Sequence, residues 1–278
     1  MFALILAAAF TLPPQQSDAV IGVSAVHLES GRRISVRGSE RFPMGSVYKV
    51  PITLAALHRV DDGTLLNREI TIEPKDFSPG WSPLRDNAHG QPVTLSLLEL
   101  LRYAVSISDN TASDALLRLF VPPSAVMQRM AQLGFRGISV NRSEKEMARD
   151  LGEPGGVERY ARDVRDTTSP DETVNLLIAF WRGRDGLSLD SHNLLVRWMT
   201  ETPTGMNRMK AGLPKNAIVT HKTGTMPGTV NDTGIITIGD QHYAIAIFTK
   251  ASTTPDEKAE ADIAEIAAAV VAYLSSRV

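Results

Sequence analysis

Residues 234–250 read GIITIGDQHYAIAIFTK. Two runs dense in Ile, Ala and aromatic residues flank Gly239-Asp240-Gln241. Runs of that kind around a short Gly-Asp turn spell an antiparallel hairpin. Residues 217–225, just upstream, read as another strand, and residues 255–274 as a long helix rich in Ala and Glu. The start of the chain answers this end. Residues 19–29 are rich in β-branched side chains, and residues 33–36 can pair back on them across Ser30-Gly31-Arg32. Between the two ends the pattern is helical. From about Ser46, apolar Val47, Val50, Leu54, Leu57 and Val60 recur at three- and four-residue steps until Asp61-Asp62-Gly63. Further helices are expected over 94–105 with Thr94 as cap, and over 111–120, 123–133, 173–181 and 190–199; Ser78 to Pro83 is a loop by its Pro and Gly content. Strands at both ends with helices between them predict an α/β fold. Its antiparallel sheet is flanked by N- and C-terminal helices and interrupted by an all-α insertion. The expected division is an α/β domain from 17–44 plus 200–278 and an all-α domain over 45–199, and the cleft between two such lobes is a favoured small-molecule site.

The composition narrows the chemistry by exclusion. The 278 residues are 43% hydrophobic and 22% charged, which suits a soluble globular chain with an ample core. A net charge of −2 without a basic stripe argues against nucleic acid or an anionic membrane surface as partner. The absence of Cys removes thiol nucleophiles, cysteine zinc sites, iron–sulfur clusters and disulfides. There is no Gly-x-Ser-x-Gly elbow, no His-Glu-x-x-His, no dinucleotide fingerprint and no P-loop. His27, His58, His89, His192, His221 and His242 are scattered without ligand spacing, so a hydrolytic base here is not expected to be histidine. Residues 1–12 read MFALILAAAFTL, too short to span a bilayer and followed by polar PPQQSD. They fit the hydrophobic part of a secretory signal peptide, expected over 1–16, although no Lys or Arg precedes the run; a buried N-terminal helix is the alternative. The expected location is therefore periplasmic or secreted, without stable membrane association, and the default oligomeric state is a monomer.

Three motifs carry the chemistry. Ser46-Val47-Tyr48-Lys49 is the only Ser-x-x-Lys in the chain. At helical spacing its first and last residues share a face, so the ammonium reaches toward the hydroxyl. Placed at a helix start, the serine meets free backbone N–H groups that favour developing negative charge. A serine paired with a lysine is a known activation scheme. Alone the pattern is weak, since about one is expected by chance in a chain of this length. Ser108-Asp109-Asn110 follows a helix, and Lys222-Thr223-Gly224 lies in the first C-terminal strand. Read separately, the first is an ordinary helix cap and the second an ordinary strand end. In this order and on these elements, they form a set.

That set is the signature of class A β-lactamases and penicillin-binding proteins. The sequence resembles the class A family over nearly all of the mature chain. Phe42-Pro43-Met44-Gly45-Ser46-Val47-Tyr48-Lys49-Val50-Pro51 is similar to the family's active-site helix entrance, and Asp166-Thr167-Thr168-Ser169-Pro170 to the segment after its Ω-loop. The resemblance implies roles. Ser46 is the acylated nucleophile, Lys49 its proton partner, and Ser108 the relay to the lactam nitrogen. Asn110 holds the side-chain amide of the substrate, a small-molecule β-lactam. Lys222 and Thr223, with Thr225, bind its carboxylate, Gly224 completes the motif, and backbone N–H groups of Ser46 and Thr225 form the oxyanion hole. Trp81 stands where the family carries an aromatic wall. No cofactor and no metal is implied.

Turnover needs a carboxylate to activate water against the acyl-serine. Glu144, Glu146 and Glu153 lie in the right stretch. Family register from Gly134 places Glu144 at the base, with Arg142 two residues earlier closing the loop neck against Asp166. Glu153, before Pro154, is the runner-up. The match departs from the family in three places. Residues 142–166 are longer than the usual loop, with Gly152, Gly155 and Gly156 as slack. The family's Asn four residues after the base is Ala148 here. The family's Arg-Gly pair in the strand after Lys222 is Thr233-Gly234, and the resemblance makes Arg208 the substituting arginine, gripping the carboxylate with two prongs. A D-Ala-D-Ala peptidase with slow release of β-lactams, or a penicilloyl-binding sensor that stays acylated, are the alternatives to hydrolysis.

Overall fold

A computed structural model describes residues 10–276. Strands β1 (Val20–His27) and β2 (Arg33–Val36) form the first hairpin. A short strand β3 (Phe42–Pro43) leads through a 3₁₀ turn at Gly45–Tyr48 into α1 (Lys49–Asp61). Next come β4 (Glu69–Ile72), α2 (Pro83–Ala88) and β5 (Val93–Ser96), the two strands pairing antiparallel. Helices α3 (Leu97–Val105), α4 (Asn110–Leu119), α5 (Pro123–Gln132), α6 (Glu144–Gly152) and α7 (Gly156–Tyr160) follow. Strand β6 (Thr167–Thr168) pairs back on β3, and α8 (Pro170–Trp181) and α9 (Leu189–Thr200) close the middle of the chain. The chain returns in β7 (Ile218–Met226), β8 (Thr229–Ile238) and β9 (Gln241–Lys250), then ends in α10 (Asp256–Ser275).

The five long strands make one antiparallel sheet in the order β2-β1-β9-β8-β7. Pairing of β1 with β9 joins the two ends of the chain, from Val20 opposite Lys250 to His27 opposite Tyr243. Side chains alternate across a strand, so β9 supplies both faces at once. Tyr243, Ile245 and Ile247 pack with Ile263, Ile266 and Val270 of α10. Ala244, Ala246 and Phe248 join the larger core under the helical part, with Phe42, Leu54, Leu101 and Leu177. A strand apolar on both faces is what a sheet covered on both sides requires.

The structure departs from the sequence expectations in several places. Residues 93–96 are a strand, not the first turn of a helix: Val93 lies opposite Ile72, and Ser96 opposite Glu69. The cap of α3 is therefore Ser96 rather than Thr94, in a reciprocal capping box with Glu99. The two small strand pairs β3–β6 and β4–β5 mean that residues 45–199 are not purely helical. Strand β8 begins five residues before Gly234, because polar Asn231 and Asp232 are fully buried in it. The expected slack after Arg142 holds two helices, α6 and α7. An N-terminal helix flanking the sheet falls on residues 1–9, outside the described residues; residues 10–19 carry no helix. Phe10 and Leu12 instead pack beside α10, the Phe10 ring edge-on to Tyr273 at 5.4 Å. No helix among the described residues is long and apolar enough to cross a membrane.

Candidate active site

The site is built around the tight turn that presents Ser46. Gly45 takes φ +50°, a conformation that a side chain disfavours, and the next residues wind as a 3₁₀ helix. Lys49 follows three residues after Ser46 as the first residue of α1. Strand β7 passes against this turn so closely that a Cβ on Gly224 would lie 2.3 Å from the Met44 carbonyl oxygen and 3.2 Å from the Ser46 nitrogen. Glycine is thus required there by backbone-to-backbone packing. Buried Asn231 on β8 ties the same turn down, donating from Nδ2 to the carbonyls of Pro43 at 2.9 Å and Met44 at 3.0 Å.

Lys49 is fully buried. Its Nζ donates to the Ser108 carbonyl and to Asn110 Oδ1, both at 2.7 Å, and lies 3.1 Å from Glu144 Oε1. An ammonium has three N–H groups, and three oxygens surround this one. Lys222, equally buried, donates to Ser108 Oγ at 2.8 Å and to the Thr223 carbonyl at 3.0 Å. Burial, reinforced by the cations of Lys49 and Arg208, holds the Lys222 pKa well below the ordinary lysine range. Ser108 stands between the two amines in a left-handed conformation, φ +64°, a strained geometry for a non-glycine residue. Its neighbour Asp109 does structural work: the carboxylate caps α4 at Ala112 N and also accepts from Leu84 N and Ser82 Oγ.

The structure separates the three candidate glutamates. Glu144 is the first residue of α6, buried beside Lys49, and its carboxylate lies on the cleft wall. Glu146 is committed to the helix start, accepting at 2.8 Å from the backbone N–H of Ser143 in a capping box. Glu153 is exposed at the far end of α6 and lines a separate cavity with Arg159 and Arg162. The backbone of Glu144 is anchored by a residue that sequence reasoning missed. Asp114 on α4 accepts from Glu144 N at 2.7 Å, Lys145 N at 3.1 Å and Ser78 Oγ at 2.6 Å. A carboxylate on the first N–H groups of a helix is favourable, although burial pushes this one's pKa up. The available signal was an Asp on the apolar face of a helix. Around the neck, Arg142 Nε donates to Asp166 Oδ2 at 2.7 Å, and Asp166 also accepts from Asn141 N and Arg142 N. Tyr48 is buried beside Glu144, and its phenol pKa is raised by burial and by the charges of Glu144 and Asp114. Ala148 lies one helical turn beyond Glu144 on α6 and has no polar side chain to offer.

A cleft of about 630 Å³ connects these groups. Ser46, Ser108, Asn110 and Glu144 line one part, with Trp81 exposed at the rim and its Nε1 donating to the Ile107 carbonyl at 2.9 Å. Thr223, Thr225 and Arg208 line the other end. Arg208 donates from Nε to Glu260 at 3.0 Å, from Nη1 to the carbonyls of Gly224 and Asn231, and from Nη2 to Thr225 Oγ1 at 2.7 Å. Four of its five N–H groups are thereby used, so a two-pronged grip on a ligand is closed and a single Nη2–H remains.

Comparison with known proteins gives the family. The beta-lactamase enzyme family matches residues 5–274. "Beta-lactamase VEB-1" of Pseudomonas aeruginosa is 33% identical over 262 residues, covering 90% of this chain and 84% of that one. The crystal structure of TLA-1 extended-spectrum beta-lactamase superposes with a TM-score of 0.84 at 32% identity, over 94% of this chain and 95% of its own. A mutant of the class A beta-lactamase of the last common ancestor of Gram-negative bacteria gives a TM-score of 0.82 at 33% identity, over 92% and 93%. The fold and the serine–lysine site are those of a penicillin-recognising serine enzyme. Within that class the chain belongs to the beta-lactamase enzyme family, as a class A β-lactamase.

Proposed function

We propose that the protein opens the β-lactam ring of penicillins and cephalosporins through an acyl-Ser46 intermediate, released by water that Glu144 activates. The observation that supports this best is the 3.1 Å approach of Lys49 Nζ to Glu144 Oε1 beneath the cleft. A proton passed across that gap leaves Lys49 a neutral amine. Ser46 Oγ then attacks the lactam carbonyl and gives its proton to Lys49, while backbone N–H groups of Ser46 and Thr225 hold the oxyanion. The C–N bond breaks, and the lactam nitrogen takes the hydroxyl proton of Ser108, whose oxygen is held by Lys222 at 2.8 Å. The proton that Lys49 took from Ser46 replaces it, and Glu144 returns its own proton to Lys49, so that ammonium and carboxylate are restored. In the second half, water attacks the ester and the Glu144 carboxylate takes its proton, Ser46 Oγ leaves with a proton from Lys49, and Glu144 restores that proton to the amine.

Asn110 turns its amide toward the substrate side chain, and Trp81 walls the rim. Lys222, Thr223 and Thr225 receive the carboxylate, with the remaining Nη2–H of Arg208. No cofactor or metal enters this scheme. We further infer that the enzyme is a monomer working outside the cytoplasm, residues 1–16 being a signal peptide. The α/β lobe over 17–44 and 200–278 and the helical lobe over 45–199 form the two walls. A chromogenic cephalosporin mixed with purified protein tests the reading. Many turnovers, abolished in Ser46→Ala, support it; one stoichiometric burst sinks it in favour of a slowly deacylating peptidase or a sensor.

A further inference from the structure

Arg208 stands at the end of the cleft that receives the substrate carboxylate, with Met226, Pro227 and Asp256 lining the same end. The arginine charge is already answered by Glu260, on its Nε at 3.0 Å. Asp256, the first residue of α10, is different. Among the described residues it makes neither a hydrogen bond nor an ion pair; partial burial raises its pKa, the Arg208 charge draws it down, and Glu257 and Glu260 add negative potential around it. An uncommitted carboxylate therefore faces the space beside the position of the substrate's own carboxylate. In a cephalosporin the carbon next to the carboxylate-bearing carbon carries the 3′ substituent, so that substituent falls at this end of the cleft.

We propose that Asp256 is a specificity-determining residue that favours β-lactams carrying a positive charge on the substituent next to the carboxylate, and disfavours those carrying a second negative charge there. The inference rests on the catalytic reading above. The attraction acts across a partly solvated gap, so it amounts to roughly a two- to five-fold preference at low salt. Added salt screens it.

Two cephalosporins that differ only at the 3′ position, one with a pyridinium and one with a neutral acetoxy group, supply the test. The ratio of kcat/KM for the cationic to the neutral compound is measured for wild type, Asp256→Asn and Asp256→Lys, at low and high salt. The ratio is expected to fall roughly two- to five-fold in Asp256→Asn and further in Asp256→Lys, with high salt bringing wild type toward Asp256→Asn. A ratio that stays fixed, whether both compounds are turned over at the wild-type rate or both rates fall in parallel, overturns the role of Asp256 alone. No turnover of either compound by the wild type overturns the catalytic reading, and this inference with it.

Discussion

Lys49 Nζ and Glu144 Oε1 meet at 3.1 Å although they arrive on separate helices, α1 and α6, and both side chains are almost fully buried. Two opposite charges taken from water hold together only with further partners. Lys49 finds them in the Ser108 carbonyl and the Asn110 amide. The Glu144 backbone finds its partner in Asp114. In the proposed mechanism the same pair links the two halves of the reaction, the amine serving acylation and the carboxylate deacylation.

Lys222 makes the alkaline limb of the activity profile informative. Its lowered pKa means that the charge available to an anionic substrate disappears before the ordinary lysine range is reached. Accordingly kcat/KM should fall as pH rises through that lowered value, mainly through KM, and Lys222→Arg should flatten the fall. Unfolding does not account for such a loss. Between the folded and unfolded pKa values the unfolded chain binds the extra proton, so this group's contribution to stability grows with pH. A pH profile unchanged in Lys222→Arg counts against the assignment.

Arg208 gives three-way support to the strand pair β7–β8, and in the proposed complex its remaining N–H meets the substrate carboxylate. Arg208→Ala should raise KM for carboxylate-bearing β-lactams roughly ten-fold, the weight of one charged hydrogen bond of about 1.5 kcal/mol. Wild-type KM in that variant refutes the contact.

Asp114→Ala strips acceptors from Glu144 N, Lys145 N and Ser78 Oγ together. Thermal unfolding should show a loss of about 2–4 kcal/mol. The kinetic signature is selective: deacylation slows more than acylation, which transient kinetics separates. Equal slowing of both steps means that Asp114 supports the whole fold rather than the base.

Gly224→Ala places a methyl 2.3 Å from the Met44 carbonyl, backbone against backbone, where no rotamer change gives relief. The turn bearing Ser46 has to move, and acylation should drop by two orders of magnitude or so, as a misplaced reacting group implies. Acylation at the wild-type rate shows that the turn tolerates the shift.

Much of the fold was legible because it follows from periodicity. The apolar runs of 234–250 and the Ala-rich pattern of 255–274 leave few other placements, and β9 and α10 lie there. What escaped has local causes. Polar Asn231 and Asp232 disguised the first half of β8, since burial is repaid for Asn231 by the carbonyls of Pro43 and Met44 and for Asp232 by the His221 ring and the Met209 N–H. The strand at 93–96 is fixed by pairing with β4, a contact that no short window contains. At the site, Ser46, Lys49, Ser108, Asn110 and Lys222 were readable from motif spacing. Among the three glutamates only family register favoured Glu144 over the runner-up Glu153; in the fold Glu144 lies beside Lys49, the capping box claims Glu146, and the end of α6 carries Glu153 to a separate cavity. Asp114 had no motif at all. Its role exists only where α4 meets α6.

Mass spectrometry of the protein mixed with a β-lactam tests the central claim most directly, run on wild type, Glu144→Gln, Glu153→Gln and Ser46→Ala. The expected result is a lasting acyl adduct on Ser46 in Glu144→Gln, rapid clearance in wild type and Glu153→Gln, and no adduct in Ser46→Ala. Persistent adduct in Glu153→Gln with normal clearance in Glu144→Gln, or any adduct surviving the loss of the Ser46 hydroxyl, contradicts the account.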